Sequence, residues 1–349
     1  MNILRKDNHF RFSAQKFMLL LLIISFSCEK NEETNCPIGN LVLDEVTIDS
    51  KNYLLTTTGE IFLKEEGNCL FYQTYFDPDF IKDNYVFLNN TIYTNIDEDQ
   101  LIRVKNNLNE DFENHTNFVN LFISSLADTS DNWTDFVLQS PANPLIADYV
   151  ELRKCILNNT CTFDDNRIDL VSDPVVPTNA CLKFFAEAPL PSMVTSKSSI
   201  ENTLLFVDKS DEIWFEADYY IDKGMPLTIL DLENKWFDEA PGIRLIFMNN
   251  QHLAVELKYG GKPTYRQPAG QEVIFPIKQW VRVKVYFLMD DQKDGKIKVW
   301  QDGILIIDAQ GKTLPTYNSV QTSMEVGISA TGQESVIYMD NIKSKVVHN

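Results

Sequence analysis

The segment Asp291–Asp308, DQKDGKIKVWQDGILIID, decides the class of fold. It holds two Asp-Gly pairs, Asp294-Gly295 and Asp302-Gly303, on either side of an alternating run. An Asp-Gly pair between alternating apolar runs is a strong hairpin signal, because both central residues of a type I′ turn need positive φ. Between the pairs, Ile297 and Val299 alternate with lysines, which is typical of a strand with one buried and one solvated face. The segment therefore predicts antiparallel strands joined by tight turns.

The same alternation extends over residues 181–349. Short strand-like segments follow one another there, separated by Gly, Pro, Asn and Asp. In the segment WVRVKVYF, residues 280–287, every second residue can face a core and the residues between can face solvent. The core-facing set is Val281, Val283, Val285 and Phe287. Many short strands with this alternation predict a C-terminal all-β sandwich rather than a parallel sheet.

The preceding residues, 36–170, have a mixed pattern. Strand-like pieces come first, and then apolar residues take a helical spacing over 98–127 and again over 143–157. We therefore expect a smaller N-terminal α+β region, which serves either as a spacer or as an interaction module. The segment VSDPVVPTNA, residues 171–180, contains two prolines, and this change of composition predicts a linker between the two regions.

The N-terminus has the pattern of an export signal, with basic residues before the apolar run Phe17–Phe26. The stretch Ser25-Phe26-Ser27-Cys28 resembles a bacterial lipobox, although Ser25 stands where leucine is usual. This resemblance implies removal of residues 1–27 and lipidation of Cys28. The acidic tether, residues 28–35, is similar to that of Bacteroidetes surface lipoproteins. We expect a lipid-anchored protein on the outer membrane, with an ordinary cleaved signal peptide as the alternative.

The chain is strongly acidic. It has 31 Lys and Arg against 50 Asp and Glu, for a formal net charge of −19. Such a charge argues against nucleic acid as a partner, because phosphate backbones are bound mainly through cations. It also argues against simple electrostatic capture of polyanions by the protein as a whole. A local basic groove remains compatible with a negative total charge.

The cysteines fit an oxidising compartment. Cys155 and Cys161 bound a short loop suited to a disulfide, and Cys36 with Cys69 is a second possible pair. Cys181 is then left over, so this pairing stays open. The chain has no Cys-x-x-Cys motif, and zinc is not predicted.

The C-terminal region resembles a known family. Its most specific parts are WVRVKVY, residues 280–286, and DGKIKVWQDG, residues 294–303. These motifs, with the order of the surrounding strands, resemble the concanavalin A-like jelly roll of polysaccharide lyases, in particular the heparin-lyase-I-like family. The resemblance covers about residues 181–347. It implies a jelly-roll sandwich and a polysaccharide partner.

The residues expected of a lyase are replaced. Members of the resembling families carry an Arg-x-Glu strand, a Gln-x-His strand and a Lys-Ala-Gly-x-Tyr strand, which together neutralise the uronate and transfer protons. The corresponding positions here are Lys197–Glu201, Leu230–Glu233 and Glu325–Ser329. Two of the three replacements are acidic and would repel a uronate. The sequence therefore favours loss of lyase activity.

Two acidic residues suggest a hydrolase instead. Asp231 and Glu233 are two positions apart on a predicted strand, so they share a face, roughly 6.5–7 Å apart. Glycoside hydrolysis uses such a pair of carboxyl groups. The competing interpretation is a solvated strand end.

Binding without catalysis is the main prediction. Planar polar groups and aromatic rings hold sugars in binding grooves. The candidate residues on one strand pair and the loop that follows it are Arg244, His252, Glu256, Lys258, Tyr259, Tyr265 and Arg266. Trp300 is predicted to be covered by lysine stems rather than to stack on a sugar.

We thus expect a cell-surface lipoprotein that binds polysaccharide. A polysaccharide lyase or glycoside hydrolase of the same fold is the first alternative, and an adhesion module that binds another protein is the second. No cofactor is expected apart from a structural calcium ion, for which Asp340 is the candidate ligand by analogy with related sandwiches.

Overall fold

The computed structural model describes residues 42–48, 51–56, 60–65, 68–74, 85–88, 91–97, 100–125, 130, 132–233, 242–259, 262–315 and 320–349. The predicted export signal, Cys28 as the predicted lipidation site and the predicted acidic tether lie outside these residues. Within the described residues, no helix is both long and apolar enough to span a bilayer.

Two small antiparallel sheets come first along the chain. The four-stranded sheet consists of β1 (Val42–Ile48), β2 (Lys51–Thr56), β3 (Glu60–Glu65) and β4 (Asn68–Thr74). The three-stranded sheet consists of β5 (Tyr85–Leu88), β6 (Thr91–Asp97) and β7 (Gln100–Arg103).

The rest of the described chain forms an all-β jelly-roll sandwich of two antiparallel sheets. Sheet A contains, in spatial order, β17 (Thr264–Tyr265), β16 (Leu253–Leu257), β15 (Gly242–Phe247), β14 (Thr228–Glu233), β21 (Ser323–Thr331), β12 (Ser196–Asn202) and β9 (Asp135–Val137). Sheet B contains β10 (Arg167–Ser172), β11 (Ala180–Ala186), β22 (Ser335–Val347), β13 (Glu212–Lys223), β18 (Trp280–Leu288), β19 (Gly295–Gln301) and β20 (Ile304–Gly311), and β8 (Asn107–Glu110) also pairs with β22. Strands that are neighbours in a sheet are often far apart in the sequence, as is typical of a jelly roll.

Strand alternation builds the core between the sheets. On β18 the predicted core set is confirmed: Val281, Val283 and Val285 are fully buried, while Arg282 is exposed. On sheet A, residues such as Leu232 and Val326 meet them from the other side. Each fully buried aliphatic side chain contributes about 1.5–3 kcal/mol of transfer free energy, so the alternation itself drives the two sheets together.

The predicted helix over residues 98–127 is wrong. This stretch forms β7, β8 and a short 3₁₀ helix, Phe118–Leu121. Its apolar spacing fits a helix, but β8 instead pairs with the last strand, β22, and tertiary pairing overrides local periodicity. The second predicted helix is confirmed as α1 (Ile146–Leu157), which ends next to the loop closed by the Cys155–Cys161 disulfide.

The structure also revises the predicted boundary at residues 171–180. These residues form the turn of a hairpin between β10 and β11, where the Asp173 carboxylate accepts hydrogen bonds from the N–H groups of Val175 and Val176. Strands β8 and β9 likewise join sheets B and A. The sandwich therefore begins near residue 107, and the prolines mark a turn rather than a linker.

The two Asp-Gly pairs have different roles. Asp302 and Gly303 both have positive φ, +49° and +80°, so they form the predicted tight turn between β19 and β20. Gly295 instead begins β19, after a longer loop. A Cβ there would lie 2.3 Å from Thr313 Oγ1 and 2.5 Å from the carbonyl oxygen of Gly311. Close packing, not turn geometry, requires this glycine.

The described cysteines agree with an oxidising compartment. Cys155 and Cys161 are disulfide-bonded with their Cα atoms 5.5 Å apart. Cys69 is also disulfide-bonded, and its predicted partner, Cys36, lies outside the described residues. Cys181 is a free, buried thiol whose pKa is raised to about 12 by burial and by nearby carboxylates.

Replacing Gly295 by alanine should destabilise the protein by about 1–3 kcal/mol, because the added methyl group overpacks the β19–β20 contact. Gly332→Ala is the matched control, since a Cβ there meets only Leu227 Cδ1, at 3.8 Å. Urea unfolding of both variants measures the difference. Equal stability of the two variants would contradict this account of Gly295.

Candidate functional site

A row of charged residues crosses sheet A. The strand register places Glu201 of β12 opposite Glu325 of β21, Glu325 opposite Asp231 of β14, Asp231 opposite Arg244 of β15, and Arg244 opposite Glu256 of β16. Directly opposite residues in an antiparallel pair have Cβ atoms about 4.5–5.5 Å apart. Five ionisable side chains from five strands therefore lie side by side.

This row lies on the face of sheet A opposite the core. The residues that alternate with it, such as Ile200, Leu232 and Val326, are in the hydrophobic core. We call the other side the polar face; its strand residues include Lys197, Ser199, Glu201, Asp231, Glu233, Arg244, Glu256, Ser323 and Glu325. Asp231 is only 4% exposed and Glu325 only 1%. Carboxyl groups buried to this degree need partners or protons.

Two lysines supply positive charge to the buried carboxyl groups. The ammonium group of Lys258 contacts Glu233 and lies 3.4 Å from Asp231 Oδ2. Lys258 follows β16 directly, and its N–H donates to the carbonyl of Gly242, which fixes its position beside β14 and β15. On the other side, Lys197 Nζ lies 3.2 Å from Glu325 Oε2.

The surroundings change the protonation of these groups. Burial raises the pKa of Asp231 well above its usual value; neighbouring Glu233 adds to the rise, and Lys258 opposes it. Burial also raises the pKa of Glu325, against the opposing effect of Lys197. Burial alone would lower the pKa of Lys197, but Glu325 and its neighbouring carboxylates outweigh that effect and raise it. Strongly shifted carboxyl groups of this kind are concentrated at functional sites.

Among the described polar-face residues named above, three buried side-chain atoms have no hydrogen-bond partner. They are Asp231 Oδ1, Ser323 Oγ and Arg244 Nε. Arg244 Nε still contacts Glu256 as an ion pair, and Ser323 lies directly opposite Glu233. An unmade buried hydrogen bond costs about 1–3 kcal/mol, so such atoms are unusual unless a ligand satisfies them. Glu325 differs, because its second oxygen accepts a hydrogen bond of 2.5 Å from the Ser199 hydroxyl.

The predicted sugar-binding residues fall into three groups. Arg244, Glu256 and Lys258 belong to the polar face, and Arg244 Nε lies 3.1 Å from Glu256 Oε1. His252 and Arg266 instead line a separate cavity of about 360 Å³ with Met248 and Glu272. The structure therefore brings only three of the seven predicted residues together with Asp231 and Glu233.

The two tyrosines predicted at the rim of a groove pack against the core instead. The Tyr259 hydroxyl donates to the carbonyl of Lys312 at 2.8 Å, and Tyr265 lies so close to Gly311 that a Cβ there would meet its hydroxyl at 1.9 Å. Both rings cover the hydrophobic core. They join the end of sheet A to β20 of sheet B, and each ring is only partly buried in this packing.

From the sequence, Lys197, Glu201 and Glu325 are recognised only as departures from the lyase pattern. Ser199 and Ser323 are not predicted as site residues. The structure makes all five members of the polar face. For Ser323 and Glu325 the available signal was their alternation with Met324, Val326 and Ile328. On β12 the signal was weak, because only Ile200 among the alternating positions is apolar. That signal gives the face of each strand but not which strands are neighbours.

Asp340 lies on β22 opposite Asp218 of β13. Burial raises the pKa of Asp340 to about 6. The Asp218 carboxylate is already held by two hydrogen bonds from Arg282, at 2.7 and 2.6 Å. Among the described residues, no group of three or more His, Cys, Asp or Glu side chains could hold a metal ion, and calcium at Asp340 stays a prediction.

Comparisons with known proteins concern the fold. No family model matches the chain, and no curated protein matches it. Among solved structures, an endo-β-1,4-glucuronan lyase from the fungus Trichoderma reesei is similar, with 16% sequence identity over 52% of this chain and 87% of that chain, at a TM-score of 0.43. An alginate lyase from a Chlorella virus shows 10% identity over 52% of this chain and 89% of its own, at a TM-score of 0.36. A marine alginate lyase from Aplysia kurodai shows 13% identity over 61% of this chain and 98% of its own, at a TM-score of 0.37.

Replacing Lys258 by methionine should destabilise the protein by about 3–5 kcal/mol at neutral pH, because Asp231 and Glu233 would then be buried without their countercharge. The destabilisation should shrink as the pH falls and the carboxyl groups take up protons. Denaturant unfolding at several pH values measures both effects.

Lys298→Met is the control for this prediction. Lys298 pairs with the exposed Asp308 at 3.5 Å, and pairs of this kind contribute about 0–1 kcal/mol. If Lys258→Met were as stable as this control, the proposed role of Lys258 would be wrong.

Proposed function

We propose that this protein cleaves polysaccharide chains on the polar face of sheet A. One observation carries the proposal: the buried carboxyl group of Asp231 has an oxygen with no partner, and it lies two residues from Glu233, which contacts Lys258. A protonated carboxyl group beside an ionised one is the arrangement that acid–base cleavage of a glycosidic bond requires.

Each carboxyl group has a role. The raised pKa of Asp231 favours its protonated form, which can donate to the glycosidic oxygen as a general acid. Glu233, held by the Lys258 ammonium, is the carboxylate that activates water or attacks the sugar. In hydrolysis, water gives its hydroxyl group to the anomeric carbon and its remaining proton to Glu233, while the departing sugar takes the proton from Asp231.

The charges of the polar face favour an uncharged sugar at the point of cleavage. Among the described strand residues of this face and Lys258, six carboxyl groups face three cations; these are Asp135, Glu201, Asp231, Glu233, Glu256 and Glu325 against Lys197, Arg244 and Lys258. Asp135 is also paired with Arg153 of α1, at 2.8 Å. A carboxylate on the substrate would meet net repulsion unless the buried acids were protonated. This balance supports a neutral substrate unit.

Elimination at a uronate is the second candidate. Lys197 and Glu325, whose pKa is raised, could together bind a substrate carboxylate, which is the first requirement of a lyase. Elimination also needs a general base. Lys197 cannot be that base at neutral pH, because its raised pKa keeps it protonated. Hydrolysis therefore ranks first.

Binding without catalysis, expected from the sequence, has less support. A sugar-binding groove depends on exposed aromatic faces. The described strand residues on the polar face carry charged or small side chains and one isoleucine, but no aromatic ring. Shifted carboxyl groups fit a catalytic face better than a binding platform.

For the location, we propose a lipid anchor on Cys28 that holds the protein at the outer membrane. The support is the basic and apolar N-terminal pattern followed by cysteine. Metabolic labelling with a tagged fatty acid should mark the wild-type protein and not Cys28→Ala. An unlabelled wild-type protein would contradict the anchor.

Asp231→Asn and Glu233→Gln should each lower kcat/KM by about 10²–10⁴-fold, the usual contribution of a general acid or base. The assay incubates the purified protein with neutral and acidic polysaccharides. New reducing ends report cleavage of the chain, and ultraviolet absorbance of an unsaturated uronate reports elimination.

Asp308→Asn, which changes an exposed carboxylate on sheet B, is the control and should keep full activity. Full activity in both site variants, or no product from any polysaccharide with the wild-type protein, would contradict the proposal. Absorbance of an unsaturated uronate would show that the reaction is elimination rather than hydrolysis.

A further inference from the structure

One part of the outer face of sheet B is rich in lysine, unlike the acidic chain as a whole. The protein has a formal net charge of −19, yet strands β22, β13, β18 and β19 place lysines and tryptophans together on the side away from the core. We call this surface the lysine–tryptophan face; it consists of Trp214, Lys284, Trp300, Lys343 and Lys345.

The two tryptophan rings are nearly parallel. Trp214 and Trp300 have ring centroids 6.2 Å apart with an interplanar angle of 22°. The Lys284 ammonium lies 4.7 Å from the Trp214 ring and 5.7 Å from the Trp300 ring, which holds both rings in place by cation–π attraction. Both rings remain partly exposed. The sequence analysis expected lysine stems to cover Trp300; the ring instead keeps an exposed part, with the Lys284 ammonium beside it.

The lysines beside the rings have Glu216 as a cross-strand neighbour, which lies directly opposite Lys284 on β18 and Lys343 on β22. Lys343 and Lys345 are exposed and two residues apart on β22, so their side chains share a face, roughly 6.5–7 Å apart. No ion pair joins Lys284, Lys343 or Lys345 to an acidic residue within the described part of the chain. The acids nearby have other partners: Glu216 pairs with Arg282 at 3.4 Å, and Asp308 pairs with Lys298.

A shallow cavity of about 170 Å³ runs between these residues. Its lining includes Trp214, Glu216, Lys284, Lys343 and Lys345. The cavity therefore combines an aromatic face with three ammonium groups, and Glu216 is its only acid among the described lining residues.

The aromatic character continues along the same strands. Six residues after Trp214 on β13, about 20 Å away, Tyr220 packs against Trp280 and Tyr338 with ring centroids 5.6 and 5.7 Å apart. Lys183 lies 5.8 Å from the Tyr338 ring. The outer face of sheet B thus has two clusters of rings with cations, separated by a distance suited to an extended chain.

We propose that the lysine–tryptophan face binds an anionic polysaccharide, separately from the cleavage site on sheet A. The tryptophan rings stack on sugar rings, and Lys343 and Lys345 pair with carboxylate or sulfate groups along the chain. The occupant is a polysaccharide rather than a nucleic acid, because the acidic protein repels a dense phosphate backbone, whereas sparse anions on a sugar chain need only a local patch of cations.

This binding site is independent of the proposed cleavage site, because it lies on sheet B rather than sheet A and takes an anionic rather than a neutral sugar chain. The face would hold the protein on an acidic glycan while sheet A acts on neutral segments. Binding is therefore measured without reference to product formation.

The test is retardation of the purified protein in native gels that contain polygalacturonate, dextran sulfate or neutral dextran. Wild-type protein should be retarded by the two anionic polymers and not by dextran, and added salt should weaken the retardation because it screens exposed charges. Lys343→Gln/Lys345→Gln should weaken binding about tenfold, as expected for two surface ion pairs. Trp300→Ala should also weaken it.

The matched control is Lys278→Gln/Lys293→Gln, which removes two exposed lysines elsewhere and changes the net charge equally. This variant should bind like the wild type. Equal loss in both double variants would show a net-charge effect and overturn the proposal. Retention by neutral dextran, or binding to anionic phospholipid vesicles but to neither acidic polymer, would overturn it as well.

Discussion

The contact of one lysine with two buried carboxyl groups underlies this account of the protein. Asp231 and Glu233 lie on the same side of one strand and are both largely buried, an arrangement that is stable only if a cation or a proton compensates. Lys258 compensates from a neighbouring strand end, and burial favours a proton on Asp231. The register of β14, β15 and β16 therefore determines the chemistry of the polar face as well as the geometry of the sheet.

The two outer faces of the sandwich differ in what they can do. The polar face of sheet A has acids with perturbed protonation and unsatisfied oxygens, which suits proton transfer. The outer face of sheet B has aromatic rings with ammonium groups beside them, which suits holding a chain. Strand alternation allows both, because each strand gives one side to the core and leaves the other free for function.

The sequence predicts features that depend on neighbours along the chain. The β18–β20 strands, the Asp302-Gly303 turn and α1 follow from alternation, turn chemistry and helical spacing. Features that depend on distant pairing were missed: β8 joins the last strand of the sandwich, and the predicted linker at 171–180 is a hairpin turn. A local pattern does not say which distant strand supplies the missing hydrogen bonds.

The candidate site, too, can be predicted from the sequence only where it depends on residues that are close along the chain. The shared face of Asp231 and Glu233 follows from their spacing, and the inclusion of Arg244 and Glu256 follows from strand alternation. The position of Glu325 opposite Asp231 depends on β21, a strand far along the chain. Tyr259 and Tyr265 have the composition of a sugar platform, but they pack partly buried between sheet A and β20, and no local pattern shows this.

The pH dependence of kcat/KM for polysaccharide cleavage tests the central claim most directly. If Asp231 is the general acid, activity should be lost as the pH rises through its raised pKa, because the proton that it donates is then gone. The midpoint of this loss should lie well above the ordinary aspartate value of 3.8. Activity that rises steadily with pH, or a midpoint at the ordinary value, would contradict the account.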